Sequence, residues 1–210
     1  MGNLKDITLN FLEKIKVVDL LLAENPQKTI KILNYYNIKK KMITYHESDW
    51  YRNKERVLSL LDQYETVGFI SSAGSPNLED PPINLVKFAI DNKIEIEIIP
   101  GPSALCSAIS LSPIPHTPFV FIGFLDKKNK FIKFFQETPS FIRSFIFFES
   151  CHRIRKSINL IKSFFPNNFI LILHELTKIN QKVIFSKISD IDEKNLAEKG
   201  EYTVILYMNT

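Results

Sequence analysis

The run Val-Val-Asp-Leu-Leu-Leu-Ala-Glu at residues 17–24, followed at once by Asn25 and Pro26, constrains the fold more than any other stretch. A strand that is apolar without alternation is covered on both faces, and such strands belong to parallel sheets layered between helices. Asn25 can cap a helix with Pro26 at its first position, opening PQKTIKILNYY. The pattern then repeats. KMITYHE (41–47) reads as a second strand, and Ser48 is placed to cap the helix DWYRNKERVLSLLDQY. ETVGFIS (65–71) is a third strand, with a proline-led helix at PINLVKFAIDN (82–92). IEIEIIP (94–100) reads as a fourth strand, followed by the helix PSALCSAISL. Strand and helix alternate, so this half is an α/β domain with a mostly parallel sheet.

The second half changes character after the turn-rich stretch SPIPHTP (112–118). Strands are expected at FVFIGF (119–124), SFIFFES (144–150), NFILILHE (168–175), KVIFSK (182–187) and EYTVILYM (201–208). Helices are expected at KNKFIKFFQE (128–137) and HRIRKSINLIKSFF (152–165). Strands outnumber helices here, which predicts a mixed sheet with an antiparallel hairpin late in the chain. The organisation is therefore two α/β domains, 1–112 and 113–210.

Composition excludes several classes. A 210-residue chain that is 45% apolar can bury a real core and is not disordered. No apolar run approaches the length of a membrane span, and MGNLKDIT is no signal peptide. Cys106 and Cys151 lie far apart with no CxxC, and the four histidines lack ligand spacing, so neither a metal site nor a disulfide framework is indicated. The expected compartment is the cytoplasm, with no membrane partner. A formal net charge of +4 permits a nucleic-acid partner without requiring one.

Two connections carry unusual chemistry. SSAGSP (71–76) follows the third strand and IPGPSAL (99–105) follows the fourth. In open α/β sheets, ligands bind beyond the carboxyl ends of the strands. Gly74 and Gly101 remove side chains where a ligand would meet backbone, while Pro76 and Pro100 stiffen the loops. Ser103 and Ala104 open a helix with free N–H groups. Either loop alone could be an ordinary turn; both at one sheet edge indicate a site. GxxxxGK[ST] and GxGxxG are absent, which excludes a standard phosphate-cradling nucleotide site.

These residues carry a resemblance. GNLKDIT, VDLLLAEN, SSAGSPNLEDPPINLVKFAI, IPGPSALCSAISLSPIP, FVFIGFLDKK, FFESCHRI, HELTK and KGEY occur in that order across nearly the whole chain. The ordered set resembles the bacterial 16S ribosomal RNA 2'-O-ribose (cytidine) methyltransferase I family, a branch of the tetrapyrrole-methylase-like superfamily. The resemblance implies a homodimer of two-domain α/β subunits of the tetrapyrrole-methylase-like fold. It also implies S-adenosylmethionine in an inter-domain cleft, and methyl transfer to a cytidine 2'-hydroxyl in the 16S rRNA of the small ribosomal subunit. On this reading Ser72, Ala73, Gly74, Ser75, Pro76, Pro100, Gly101, Ser103 and Ala104 bind the cofactor.

The chain departs from the family pattern at several places. That pattern opens with a strand ending in a Pro-Ile-Gly-Asn-Leu turn, which this sequence joins inside the turn at Met1-Gly2-Asn3-Leu4. The resemblance therefore implies a sheet short of its first strand. Ser72 stands where the family carries an aspartate, and Ser75 where it carries threonine. Glu-Asp-Thr-Arg is replaced by Glu24-Asn25-Pro26-Gln27, a proline by Cys151 and an arginine by His174. A short C-terminal helical extension of many members is absent.

A ribose hydroxyl is a poor nucleophile, so its activation calls for a nearby base or a cation that favours the alkoxide. Glu149 and His152, at the strand-to-helix junction FFESCHR, are the first candidates. Glu175 and Lys178 in HELTK are the second. The structural alternatives are a capping acid for Glu149, a surface residue for His152 and an ion pair between Glu24 and Lys178. Arg153, Lys127 and Lys128 are the RNA-phosphate candidates, with Lys130, Arg155 and Lys156 nearby; the alternative for these lysines is a solvated face. The runs FIKFF and FIFF have core spacing, and Trp50 and Tyr51 are read as packing residues. Two other functions stand beside rRNA methylation. One is a small-molecule methylase of the same superfamily, against which GFLDKK and ESCHRI argue. The other is a weakly active or non-catalytic dimeric relative, which Ser72 and the absent strand favour.

Overall fold

The computed structural model describes residues 2–115, 117–126 and 130–208. The chain divides into two compact units, 2–102 and 103–210. The first unit contains α1 (Leu9–Val17), β1 (Leu20–Ala23), α2 (Pro26–Tyr35), β2 (Met42–Thr44), α3 (Trp50–Gln63), β3 (Val67–Ile70) and α4 (Ile83–Asp91). Its sheet has the order β2-β1-β3, and both pairings are parallel. β1 is the central strand and is buried at all four positions, which is why its sequence is apolar without alternation.

Local chemistry sets most of these boundaries. The Asn25 side chain accepts from the Lys28 amide at 3.1 Å, with Pro26 opening α2 as the sequence predicts. Thr8 caps α1 in the same way through the Phe11 amide. Ser48 caps nothing: residues 47–49 form a 3-10 turn, and α3 begins at Trp50 behind Asp49 without a side-chain cap. Trp50 is buried against Phe88, whereas Tyr51 is 88% exposed, so only the tryptophan packs. Two apolar clusters cover the two faces of the sheet. Leu20, Leu22, Tyr45, Trp50 and Val57 form one, and Ile15, Leu21, Leu33 and Ile38 the other. The alternation of Leu20, Leu21 and Leu22 between the clusters is the pleat of the strand.

One expected element does not form. Residues 94–99 join no ladder, and Ile94, Ile96 and Ile98 are exposed. A strand signal in the side chains is not sufficient, because a strand exists only where a neighbour accepts its backbone groups.

The second unit contains α5 (Ala104–Ser110), β4 (Phe119–Phe124), α6 (Phe131–Glu137), β5 (Ser144–Ser150), α7 (Ile154–Phe164), β6 (Phe169–His174), β7 (Lys182–Lys187) and β8 (Glu201–Tyr207). Its sheet has the order β4-β5-β8-β6-β7. β4 and β5 are parallel, and the remaining pairs are antiparallel, including the β6–β7 hairpin. Phe145 and Phe147 point to the face covered by α6 and α7, where Phe131, Phe135, Ile154, Ile158 and Ile161 are buried. Ile146 points to the other face with Leu171, Leu173 and Ile205, against Ala108 of α5. That contact makes α5 part of the second unit, so the compact units divide before the helix, earlier in the chain than 112. Ser112 Oγ lies 2.7 Å from the Tyr207 hydroxyl and fixes the segment after α5 to the same sheet.

Candidate functional site

In the first unit the residues gather at the carboxyl end of the parallel strands. β1 and β3 are adjacent and parallel, so the chain leaving Ala23 runs beside the chain leaving Ile70. The Glu24 amide donates to the Ile70 carbonyl at 3.2 Å, and Glu24 Oε2 accepts from the Ser72 amide at 2.7 Å. Ser71 Oγ donates to the Gly74 carbonyl at 3.0 Å, closing the loop on itself. Gly74 has φ +70, a left-handed conformation that side chains disfavour, and open space where a Cβ would stand. Ser72, Ala73 and Ser75 are half-buried and Pro76 is exposed.

The second loop is held by α1. Thr8 Oγ1 donates to the Pro100 carbonyl at 3.3 Å, and Lys14 pairs with Glu97 at 2.6 Å. Gly101 is exposed, and a Cβ built on it would meet nothing within 4 Å. Ser103 and Ala104 belong to the second unit, where the Ser103 side chain accepts from the Cys106 amide and starts α5.

The second unit positions the expected catalytic and RNA-contacting residues. Glu149, at the end of β5, has a fully buried side chain. Its carboxylate pairs with Arg153 at 2.8 Å and accepts from Ser157 Oγ at 2.7 Å and the Ser150 amide at 2.8 Å. Arg153 Nη1 also donates to the Leu125 carbonyl at 2.8 Å, so the guanidinium ties the end of β4 to β5 and α7. His152, between them in sequence, is exposed. Arg155 is engaged too, by Glu198 at 2.9 Å and by the Leu196 carbonyl at 2.8 Å. Lys127 and Lys128 lie outside the described residues.

Glu175 and Lys178 form a 2.8 Å ion pair in the turn after β6, and Glu175 Oε1 also accepts from the Glu201 amide at 3.1 Å. Burial raises the Glu175 pKa, but the Lys178 ammonium, the Glu201 amide and nearby His174 outweigh it, holding the carboxyl below its ordinary value. The sequence left open an ion pair between Glu24 and Lys178. Within its own unit Glu24 binds the Ser72 amide, and within the other Lys178 pairs with Glu175. His174 is buried, packs against the Tyr202 ring and meets the Lys199 carbonyl through Nε2 at 2.7 Å. A side chain at Gly200 would come within 2.6 Å of His174 Nε2 and 2.8 Å of Glu175, so KGEY needs its glycine at this approach.

The structure thus brings together Glu149 with Arg153 and Glu175 with Lys178. Sequence reasoning missed the hold of Glu24 on the Ser72 loop. Its signal was faint: an acid at the end of an apolar strand, directly before the Asn-Pro helix start. Among the described residues, no three His, Cys, Asp or Glu side chains gather as metal ligands. No described helix is long and apolar enough to cross a membrane.

Two α/β units, the first with a glycine-bearing loop after its parallel strand β3, define a recognisable class. The family model of tetrapyrrole (corrin/porphyrin) methylases matches residues 1–192. Among solved structures, diphthine synthase superposes with a TM-score of 0.76 at 12% identity, covering 100% of this chain and 87% of that one. The methyltransferase CobJ gives 0.67 at 16% identity, covering 100% and 90%. These two likenesses concern the fold.

Relatives in sequence are more specific. The ribosomal RNA small subunit methyltransferase I of Thermotoga maritima is 35% identical over 98% of this chain and 94% of its own length. That of Mesomycoplasma conjunctivae is 37% identical, over 98% and 87%. That of Rickettsia prowazekii is 34% identical, over 100% and 76%. The chain belongs to the tetrapyrrole methylase family, and within it to the ribosomal RNA small subunit methyltransferase I family.

Proposed function

We propose that the protein transfers a methyl group from S-adenosylmethionine to the 2'-hydroxyl of a cytidine ribose in 16S ribosomal RNA, as a cytoplasmic homodimer. The observation that carries the reading is the near full-length likeness to ribosomal RNA small subunit methyltransferases I. The first unit's loops fit the cofactor: Gly74 and Gly101 both have open space over the backbone. Residues 72–76 and 100–101 of this unit would hold it. The cofactor supplies an already activated methyl group.

The chain's part is to hold the attacking oxygen in line, and orientation alone is worth about 7–11 kcal/mol of a barrier. Glu24 fixes the loop by binding the Ser72 amide. Lys178, steadied by Glu175, offers a cation that favours the alkoxide, and exposed His152 is free to take the proton. Glu149 is engaged on every side, so its role is to position Arg153 and the segment leading to Lys127 and Lys128.

The test is a calorimetric titration with S-adenosylmethionine, followed by mapping ribose methylation on small subunits from a strain lacking the gene. Gly101→Val adds bulk where nothing of the protein stands, so it should weaken cofactor binding by roughly tenfold or more while leaving the denaturation midpoint unchanged. Unchanged affinity removes this loop from the site. An unaltered methylation map rejects 16S rRNA as the substrate.

A further inference from the structure

At the carboxyl end of the first sheet one carboxylate is only half used. Glu24 follows β1 and is half-buried, and its Oε2 accepts from the Ser72 amide at 2.7 Å. Its other oxygen, Oε1, has no hydrogen-bond or ion-pair partner among the described residues, yet it is not sealed from solvent. Glu47, which follows β2 at the same end, shows a carboxylate that is fully engaged. One of its oxygens accepts from the Tyr45 hydroxyl at 2.9 Å and the other from the Asn84 amide at 2.7 Å. Glu97 is likewise spent on Lys14.

The loop that Glu24 grips brings no charge of its own. Neither residues 71–76 nor residues 99–101 include an acidic or basic side chain. Glu79 stands further along the chain and is exposed. A carboxylate half out of water without a counter-charge gives up part of its hydration, and a cation placed against it makes up that loss. The N-terminus of α2 lies next in the chain and favours negative charge, but its Lys28 amide is already taken by Asn25. The unused oxygen of Glu24 is open to a ligand.

We propose that Glu24 is the counter-charge of the methyl donor: its free oxygen receives a cationic group of S-adenosylmethionine while the other holds the Ser72 loop. The inference rests on the proposed cofactor reading and names the side chain that would give that site its charge preference. S-adenosylmethionine carries two cations, the sulfonium that bears the methyl group and the α-ammonium. Contact with the sulfonium would favour the donor over the demethylated product, whose sulfur is neutral. Contact with the ammonium would hold donor and product alike. In both cases a ligand with neither cation gains nothing from Glu24.

Titration calorimetry on the 210-residue chain and on its Glu24→Gln variant tests this with three ligands. S-adenosylmethionine has both cations, S-adenosylhomocysteine only the ammonium, and 5'-methylthioadenosine neither. Glutamine keeps an oxygen for the Ser72 amide and removes the charge. The denaturation midpoint and the affinity for 5'-methylthioadenosine should therefore stay as they are. Affinity for S-adenosylmethionine should fall by roughly tenfold or more. An equal fall for S-adenosylhomocysteine assigns the contact to the ammonium, and no fall assigns it to the sulfonium; either supports the proposal. If all three ligands weaken together, Glu24 only holds the loop, and the proposal is overturned. Unchanged affinity for S-adenosylmethionine overturns it as well. A wild-type chain that binds none of the three rejects the cofactor reading itself, and the inference falls with it.

Discussion

The two sheets of this chain were built from equally apolar sequence and ended in different states. In the second unit β5, β6 and β8 each have two neighbours, and Phe145, Phe147, Ile170, Val204 and Ile205 are all but fully buried. Among the described residues of the first unit only β1 has two neighbours; β3 is half-exposed throughout, and 94–99 lies outside the sheet. Apolar side chains bring a strand to a core, but its backbone is satisfied only by strands on both sides. The unit that offers the glycine loops is therefore also the unit with the weaker sheet.

The largest expected effect compares two phenylalanines. Phe147 is fully buried against α6 and α7, so Phe147→Ala should cost about 3–5 kcal/mol by denaturant unfolding. Phe69 sits half-exposed on β3 beside Tyr45, and Phe69→Ala should cost less, ~1–2 kcal/mol. Equal losses would erase the contrast between the sheets.

Next in size is Arg153→Ala. It leaves the buried Glu149 carboxylate without its cation and cuts the tie to Leu125. A fully buried pair broken in this way loses ~3–5 kcal/mol; with Arg153 30% exposed, about 2–3 kcal/mol is expected from chemical denaturation. An Arg153 that acted only on RNA phosphates would leave the midpoint where it was.

The smallest effect is a pH dependence in the turn after β6. The folded Glu175 carboxyl titrates below its ordinary value, so its contribution is complete above that value and is lost as pH falls through the folded one. Unfolding midpoints measured from neutral pH down to pH ~3 should therefore fall more steeply in the wild type than in Glu175→Gln. Parallel curves would detach Glu175 from the stability of the second unit.

The sequence by itself determined the elements wherever the signal was local. The cap of Asn25 on Lys28, the helix start at Ser103, and the spans of β4, β5 and β7 all follow from residues within a few positions of each other. The ordered motifs also carried the family, because FFESCHRI, HELTK and KGEY are readable without coordinates. Partners distant in the chain were not. That Glu149 is spent on Arg153 and Ser157, that Glu24 holds the Ser72 amide, and that α5 belongs to the second sheet are choices made by packing. The segment IEIEII shows the division most sharply: its alternating isoleucines prescribe a strand, but a ladder needs a second backbone, and only the tertiary structure could reveal that no described strand pairs with it.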